Sequence, residues 1–162
     1  MLDLDPATHW ALRGEPPAFD TPDEDVYLTG RNVILLSKAA IYCAQQRIPR
    51  LAIGPLAGNS FSDATPELFG AMARALSLGL AHEITIATPL AAMEKGDVIR
   101  LGLELKVPLE LTLSCMNPAG GRHCGRCSKS RERRDAVLDA GIDARIDARI
   151  DDSTPCASTP LR

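Results

Sequence analysis

The sequence predicts an α/β fold built on a parallel sheet, and three observations carry that reading. RLAIG, residues 50–54, is a short apolar run closed by Gly54 and Pro55, as expected of a buried strand that empties into a loop. EITIATP is a second such run, in which Glu83, Thr85 and Ala87 alternate with Ile84 and Ile86. Between them LFGAMARALSLGL reads as an apolar helix. Strand, helix, strand is the order that gives parallel strands joined by a right-handed crossover.

The remaining elements follow in chain order. Residues 1–25 hold four prolines, many acids and no sustained period, so they form an extended lead-in, with Trp10 as its packing anchor. Asn32 is placed to cap a helix through VILLSKAAIYCAQQ, where Val33, Leu36, Ala40 and Cys43 recur at helical spacing. That helix ends before Pro49. The loop PLAGNSFSDATPE leads to Pro66 and Glu67, which suit the first turn of the next helix. After Pro89, MEKGDVIRLGLEL sets Met93, Val98, Leu101 and Leu105 on one stripe of a third helix, which Gly96 and Gly102 weaken. Residues 26–112 therefore make a partial α/β domain, 113–142 a cysteine loop and helix, and 143–162 a tail. The tail repeats Asp-Ala-Arg-Ile and reads as a duplicated insertion. Two strands alone are a poor independent core, so further strands are expected from elsewhere.

Composition narrows the function classes. A chain of 162 residues with 45% apolar content has the size of one compact domain, which buries roughly 70% of its unfolded surface. A net charge of −3 gives no overall field to draw the chain to nucleic acid or an anionic membrane. Arg131, Arg133 and Arg134 are a local basic run. His9 and His82 have no constellation around them and read as surface residues. No apolar run approaches the length of a bilayer span, and MLDLD lacks the basic start of a signal peptide. These features lead to a cytoplasmic expectation.

The stretch SCMNPAGGRHCGRCSKSRERRDA carries the chemistry. Cys124 and Cys127 form a CGRC knuckle, and two thiols separated by two residues in a glycine-containing turn reach one zinc ion without strain. Cys115 is placed to return to the same ion across NPAGG. The bland alternative is that all three are small buried residues of a reduced protein. The fourth corner stays open. His123 has the right chemistry but adjoins Cys124, Cys156 lies far along the tail, and Ser130 stands where a CxxCxxC series would place its last thiol.

Taken together, TGRNVILLSKAAIYCA, LAIGPLAGNSFSDATPELFGA, ATPLAAMEKGDVIRLGLELKVPLELTLSCMN and GGRHCGRCSKSRERRDA resemble the C-terminal half of the 7-cyano-7-deazaguanine synthase family, also called QueC or ExsB. The resemblance runs from about Tyr27 to Ile142. It implies a Rossmann-like, adenine nucleotide alpha hydrolase-like fold with flanking helices and a four-cysteine zinc site. It further implies ATP-dependent conversion of 7-carboxy-7-deazaguanine and ammonia to the nitrile, and a homodimer. Cys115, Cys124 and Cys127 match three of the zinc ligands, and Ser130 replaces the fourth. Gly30, Arg31 and Asn32 match a PGRN-like segment whose proline is Thr29. Asp63 matches an acid of a family loop, in which Thr65 stands for an arginine, and Lys95 matches a lysine at a helix start.

Arg31, Asn32, Asp63 and Lys95 are thus the expected substrate- or phosphate-binding residues, while the catalytic residues stay unassigned. Bland readings stand beside them: an exposed arginine for Arg31, a helix cap for Asn32 or Asp63, and a solvated charge for Lys95. The phosphate-gripping Ser-Gly-Gly-x-Asp-Ser loop of ATP pyrophosphatases does not occur in the sequence. ATP binding is therefore expected from a separate or missing half, supplied by a partner chain, a split gene or a truncated one. The rival reading is a non-catalytic zinc-binding interaction module.

Overall fold

A computed structural model describes Trp10 and residues 17–118 and 120–142 of the chain. The Asp-Ala-Arg-Ile repeat, Cys156, His9 and most of the lead-in lie outside the described residues. The described residues form an α/β structure with a parallel two-stranded sheet, four α-helices and three short 3-10 turns. They divide into two compact units: residues 28–94, and a second unit that joins the chain up to Tyr27 to the chain from Lys95 onward.

In the first unit, α1 (Arg31–Gln45), β1 (Arg50–Ala52), α2 (Pro66–Leu80) and β2 (Thr85–Ala87) follow in order. The strands pair in parallel, with Arg50 opposite Thr85, Leu51 opposite Ile86 and Ala52 opposite Ala87. The ladder extends past the strands through hydrogen bonds from Ile53 N to Ala87 O and from Thr85 N to Pro49 O. Both strands are shorter than the apolar runs that foretell them, because β1 gives way to the loop at Ile53 and Gly54.

Two apolar clusters hold this unit. Leu36 of α1, Ala64 and Phe69 of α2 pack with Leu51, Ile53, Phe61, Met72 and Ile86. Ala40, Cys43 and Ile84 pack with Leu51, Leu76 and Leu80. Leu51 belongs to both, so one strand residue joins the two helices' apolar faces. Full burial of a leucine or phenylalanine contributes about 1.5–3 kcal/mol, which makes Leu36 and Phe69 leading contributors here. Of the stripe expected on α1, Leu36, Ala40 and Cys43 are buried, whereas Val33 is exposed.

The start of α1 differs from expectation. Gly30, in the left-handed region at φ 70°, is the cap residue and offers no side chain. Asn32 lies inside the first turn and is buried. The orphan N–H of Asn32 is satisfied from elsewhere in the unit, by the carboxylate of Asp63. At α2, Thr65 is the cap and its hydroxyl accepts from Leu68 N, with Pro66 at the first helical position as expected. His82 is half-buried and lies 3.0 Å from Ile48 O through Nε2, where it ties the turn before β2 to the turn before β1.

In the second unit, α3 (Lys95–Glu104) packs against α4 (Ser128–Asp139). α3 is shorter than the stripe predicted: Met93 precedes it, and Leu105 follows it and is exposed. Gly96 is buried because a Cβ there would lie 2.2 Å from the Asp139 carboxylate. The glycine that costs α3 helix propensity is thus what lets the two helices approach. Among the described residues, no helix is long and apolar enough to cross a membrane.

Candidate metal centre

Cys115, Cys124 and Cys127 come together. Their sulfurs all lie within 4.8 Å of one another, and Cys124 and Cys127 are buried. Gly125, at φ 69°, supplies the left-handed backbone that folds CGRC into a knuckle. Cys127 then caps α4 with extended backbone. Cys127 thus sits at the N-terminal end of α4.

Backbone N–H groups also turn toward the sulfurs. Asn117 N and Cys124 N donate to Cys115 Sγ at 3.3 and 3.2 Å, and Arg126 N donates to Cys124 Sγ at 3.4 Å. Burial pushes the Cys115 thiol up to about 11, with the Cys124 and Asn117 N–H groups and the Ser130 hydroxyl pulling it partly back. A bound divalent cation would reverse this balance, since a coordinating thiol loses its proton to the metal. Three convergent sulfurs with N–H support fit a thiophilic divalent metal.

Ser130, in the first turn of α4, is almost fully buried, and its Oγ lies 3.2 Å from Cys127 Sγ and 4.0 Å from Cys124 Sγ. His123 is buried too.

Two features of this unit escaped the sequence reading. Arg133 is buried, and its guanidinium donates to Thr112 Oγ1, Ser114 Oγ and Leu109 O. It thereby clamps the segment entering Cys115 onto α4. The signal was present, because Ser130, Arg133, Ala136 and Val137 share one helical face, but that face opens with polar residues. In addition, Ala18 bridges to Cys127 in antiparallel fashion. Phe19 lies under the guanidinium groups of Arg131 and Arg134, 5.6 and 5.1 Å from its centroid, and Asp20 pairs with Arg131 at 3.6 Å. Arg131 and Arg134 of the basic run therefore hold a strap of the lead-in over the cysteine knuckle.

The residues expected to bind substrate or phosphate are placed as follows. Asn32 and Asp63 are both buried and bonded to each other: Asn32 N donates to Asp63 Oδ2 at 2.9 Å, and Asn32 Nδ2 donates to Asp63 O and Oδ1. Arg31 is half-buried beside them on α1. Lys95 starts α3 in the second unit and pairs with Glu132, which also pairs with Lys129. A cleft of about 210 Å³ opens at the C-terminal ends of β1 and β2, lined by Pro55, Gly58, Asn59, Thr65, Phe69 and Thr88 among others. This is where open α/β sheets place their ligands.

Comparison with known proteins gives this arrangement its family. The family model described as "Queuosine biosynthesis protein QueC" matches residues 18–141, from the strap to the end of α4. The chain belongs to the QueC family. Among curated relatives, a 7-cyano-7-deazaguanine synthase of Picrophilus torridus is 35% identical over 154 residues, covering 85% of this chain and 63% of the relative. The 7-cyano-7-deazaguanine synthase 1 of Desulfitobacterium hafniense is 37% identical, with the same coverage of each. That of Thermoplasma volcanium is 36% identical over 77% of this chain and 56% of its own length. This QueC-family chain therefore spans less than two thirds of the length of these relatives.

Proposed function

We propose that the chain serves queuosine biosynthesis as the metal-bearing part of a 7-cyano-7-deazaguanine synthase. In that reaction ATP converts the carboxylate of 7-carboxy-7-deazaguanine into a leaving group, ammonia displaces it to give the amide, and a second activation removes water to leave the nitrile. The observation that carries this reading is the family match running unbroken through the three-sulfur centre.

Within this reading the chain's residues bind and position. The cleft at the strand ends receives the deazapurine or the phosphates, and Arg31 offers its fork of donors to a carboxylate or phosphate. Asn32 and Asp63 fix the helix turn that carries Arg31. Lys95 is held by Glu132 until an anion competes for it. Zinc is the metal we assign to the thiols, where it would close the loop before α4 structurally rather than act as a Lewis acid. The phosphate-gripping loop comes from an ATP-binding half outside this sequence, and reduced thiols suit the cytoplasm.

A second reading, a non-catalytic zinc-binding interaction module, draws on the exposed Leu35, Ile41 and Tyr42 of α1. An ATP-binding partner or a second copy of the chain would cover that face.

The test is reconstitution. The chain is co-expressed with an ATP-binding QueC half in a host lacking its own synthase, and nitrile formation from 7-carboxy-7-deazaguanine, ATP and ammonia is followed by mass spectrometry. Nitrile that depends on this chain supports the enzyme reading. A stable, metal-loaded complex that forms none favours the interaction module.

A further inference from the structure

The three sulfurs leave one corner of a tetrahedron to fill, and the groups around them differ in reach. Ser128, the other buried hydroxyl of the turn, makes no hydrogen bond to a described residue, sulfur included. The Ser130 hydroxyl is in hydrogen-bonding contact with Cys127 at 3.2 Å and Cys124 at 4.0 Å, and it bonds Cys115 as well. The position is set by α4, since Ser130 N bonds back to Cys127 O across the first turn. Cys124, Cys127, Ser128 and Ser130 are all buried, and Cys115 is half-buried.

We infer that Ser130 supplies the fourth donor, giving a centre of three thiolates and one hydroxyl oxygen in this chain. The inference rests on the reading that the cluster holds a divalent metal. With a neutral oxygen in place of a fourth thiolate, the metal and its ligands carry one less negative charge. A weaker donor also makes release faster, so the ion is held less tightly than by four thiolates while the loop keeps its shape.

The 162-residue chain, stripped of metal under reducing conditions and titrated with cobalt(II), tests this by absorbance. The expected wild-type product is one tetrahedral cobalt with thiolate-to-metal charge transfer from three sulfurs. Ser130→Cys is expected to raise that band by about one third, as four thiolates against three, and to slow cobalt loss to a chelator. Ser130→Ala is expected to leave the band unchanged and to weaken retention about tenfold, at the lower end of what loss of a supporting group costs a metal site. A Ser130→Cys band equal to the wild-type band overturns the inference, and so does Ser130→Ala retaining cobalt as well as the wild type. Failure of the wild type to take up cobalt is a different result, because it removes the metal reading itself.

Discussion

Asn32 and Asp63, thirty-one positions apart, close the start of α1 together: the backbone N–H of Asn32 donates to Asp63 Oδ2 at 2.9 Å and its side-chain amide donates to Asp63 O. The carboxylate does for the helix what a residue at the cap position does elsewhere, from the 3-10 turn Ser62–Ala64. Asp63→Ala leaves the buried N–H of Asn32 without its carboxylate acceptor, while the side-chain amide keeps its bond to Asp63 O, at a cost of about 1–3 kcal/mol. Urea unfolding is expected to show a lower midpoint with an unchanged slope. Wild-type stability in Asp63→Ala would show that the pair does not cap α1.

Arg133→Met keeps most of the side-chain volume and removes the three donated hydrogen bonds to Leu109, Thr112 and Ser114. Half-buried acceptors then lose a charged donor, for about 2 kcal/mol. Because the clamp holds the approach to Cys115, metal release to a chelator is expected to accelerate as well. A stability loss with no change in release rate would separate the clamp from the cysteine centre.

The Cys115 thiol sets a pH dependence for the metal-free protein. Its pKa is raised from 9.0 to about 11 by burial, so between these values the folded state holds more protons than the unfolded one. The contribution is fully present below about pH 9 and is lost as pH rises through about 11. Melting temperature of the metal-free chain is expected to fall across that window, and Cys115→Ser to flatten the fall. Metal binding runs the other way, because protons compete for the sulfurs, so affinity is expected to drop as the solution is acidified.

Phe19→Ala removes the ring beneath Arg131 and Arg134. Exposed cation–π contacts are worth about 0.5–1 kcal/mol each, so global stability is expected to move little. Hydrogen exchange at the amides of Ala18 and Cys127, measured by NMR, is expected to quicken. Unchanged exchange there would mean that the Ala18–Cys127 bridge and the Asp20–Arg131 pair hold the strap without the ring.

Local signals in the sequence served well, and long-range ones did not. The two strands, the helix between them and the cysteine trio were legible because hydrophobic period, Gly-Pro punctuation and CxxC spacing are properties of short windows. The cap of α1 was not, because Gly30 occupies the cap position without a side chain and the acceptor comes from Asp63. Gly96 read as a helix weakness because its reason, the carboxylate of Asp139, lies on another helix. Arg133 was read with its neighbours as one basic run, since nothing local distinguishes a guanidinium folded inward from two stacked on a phenylalanine.

The bridge between Ala18 and Cys127 joins points about a hundred residues apart, a closure whose entropic cost grows only slowly with the length enclosed. During synthesis, residues 28–94 can complete their apolar clusters while the knuckle is still being made. The strap must wait, unpaired, until Cys127 leaves the ribosome. Assembly of the second unit is therefore a late event in the life of the nascent chain.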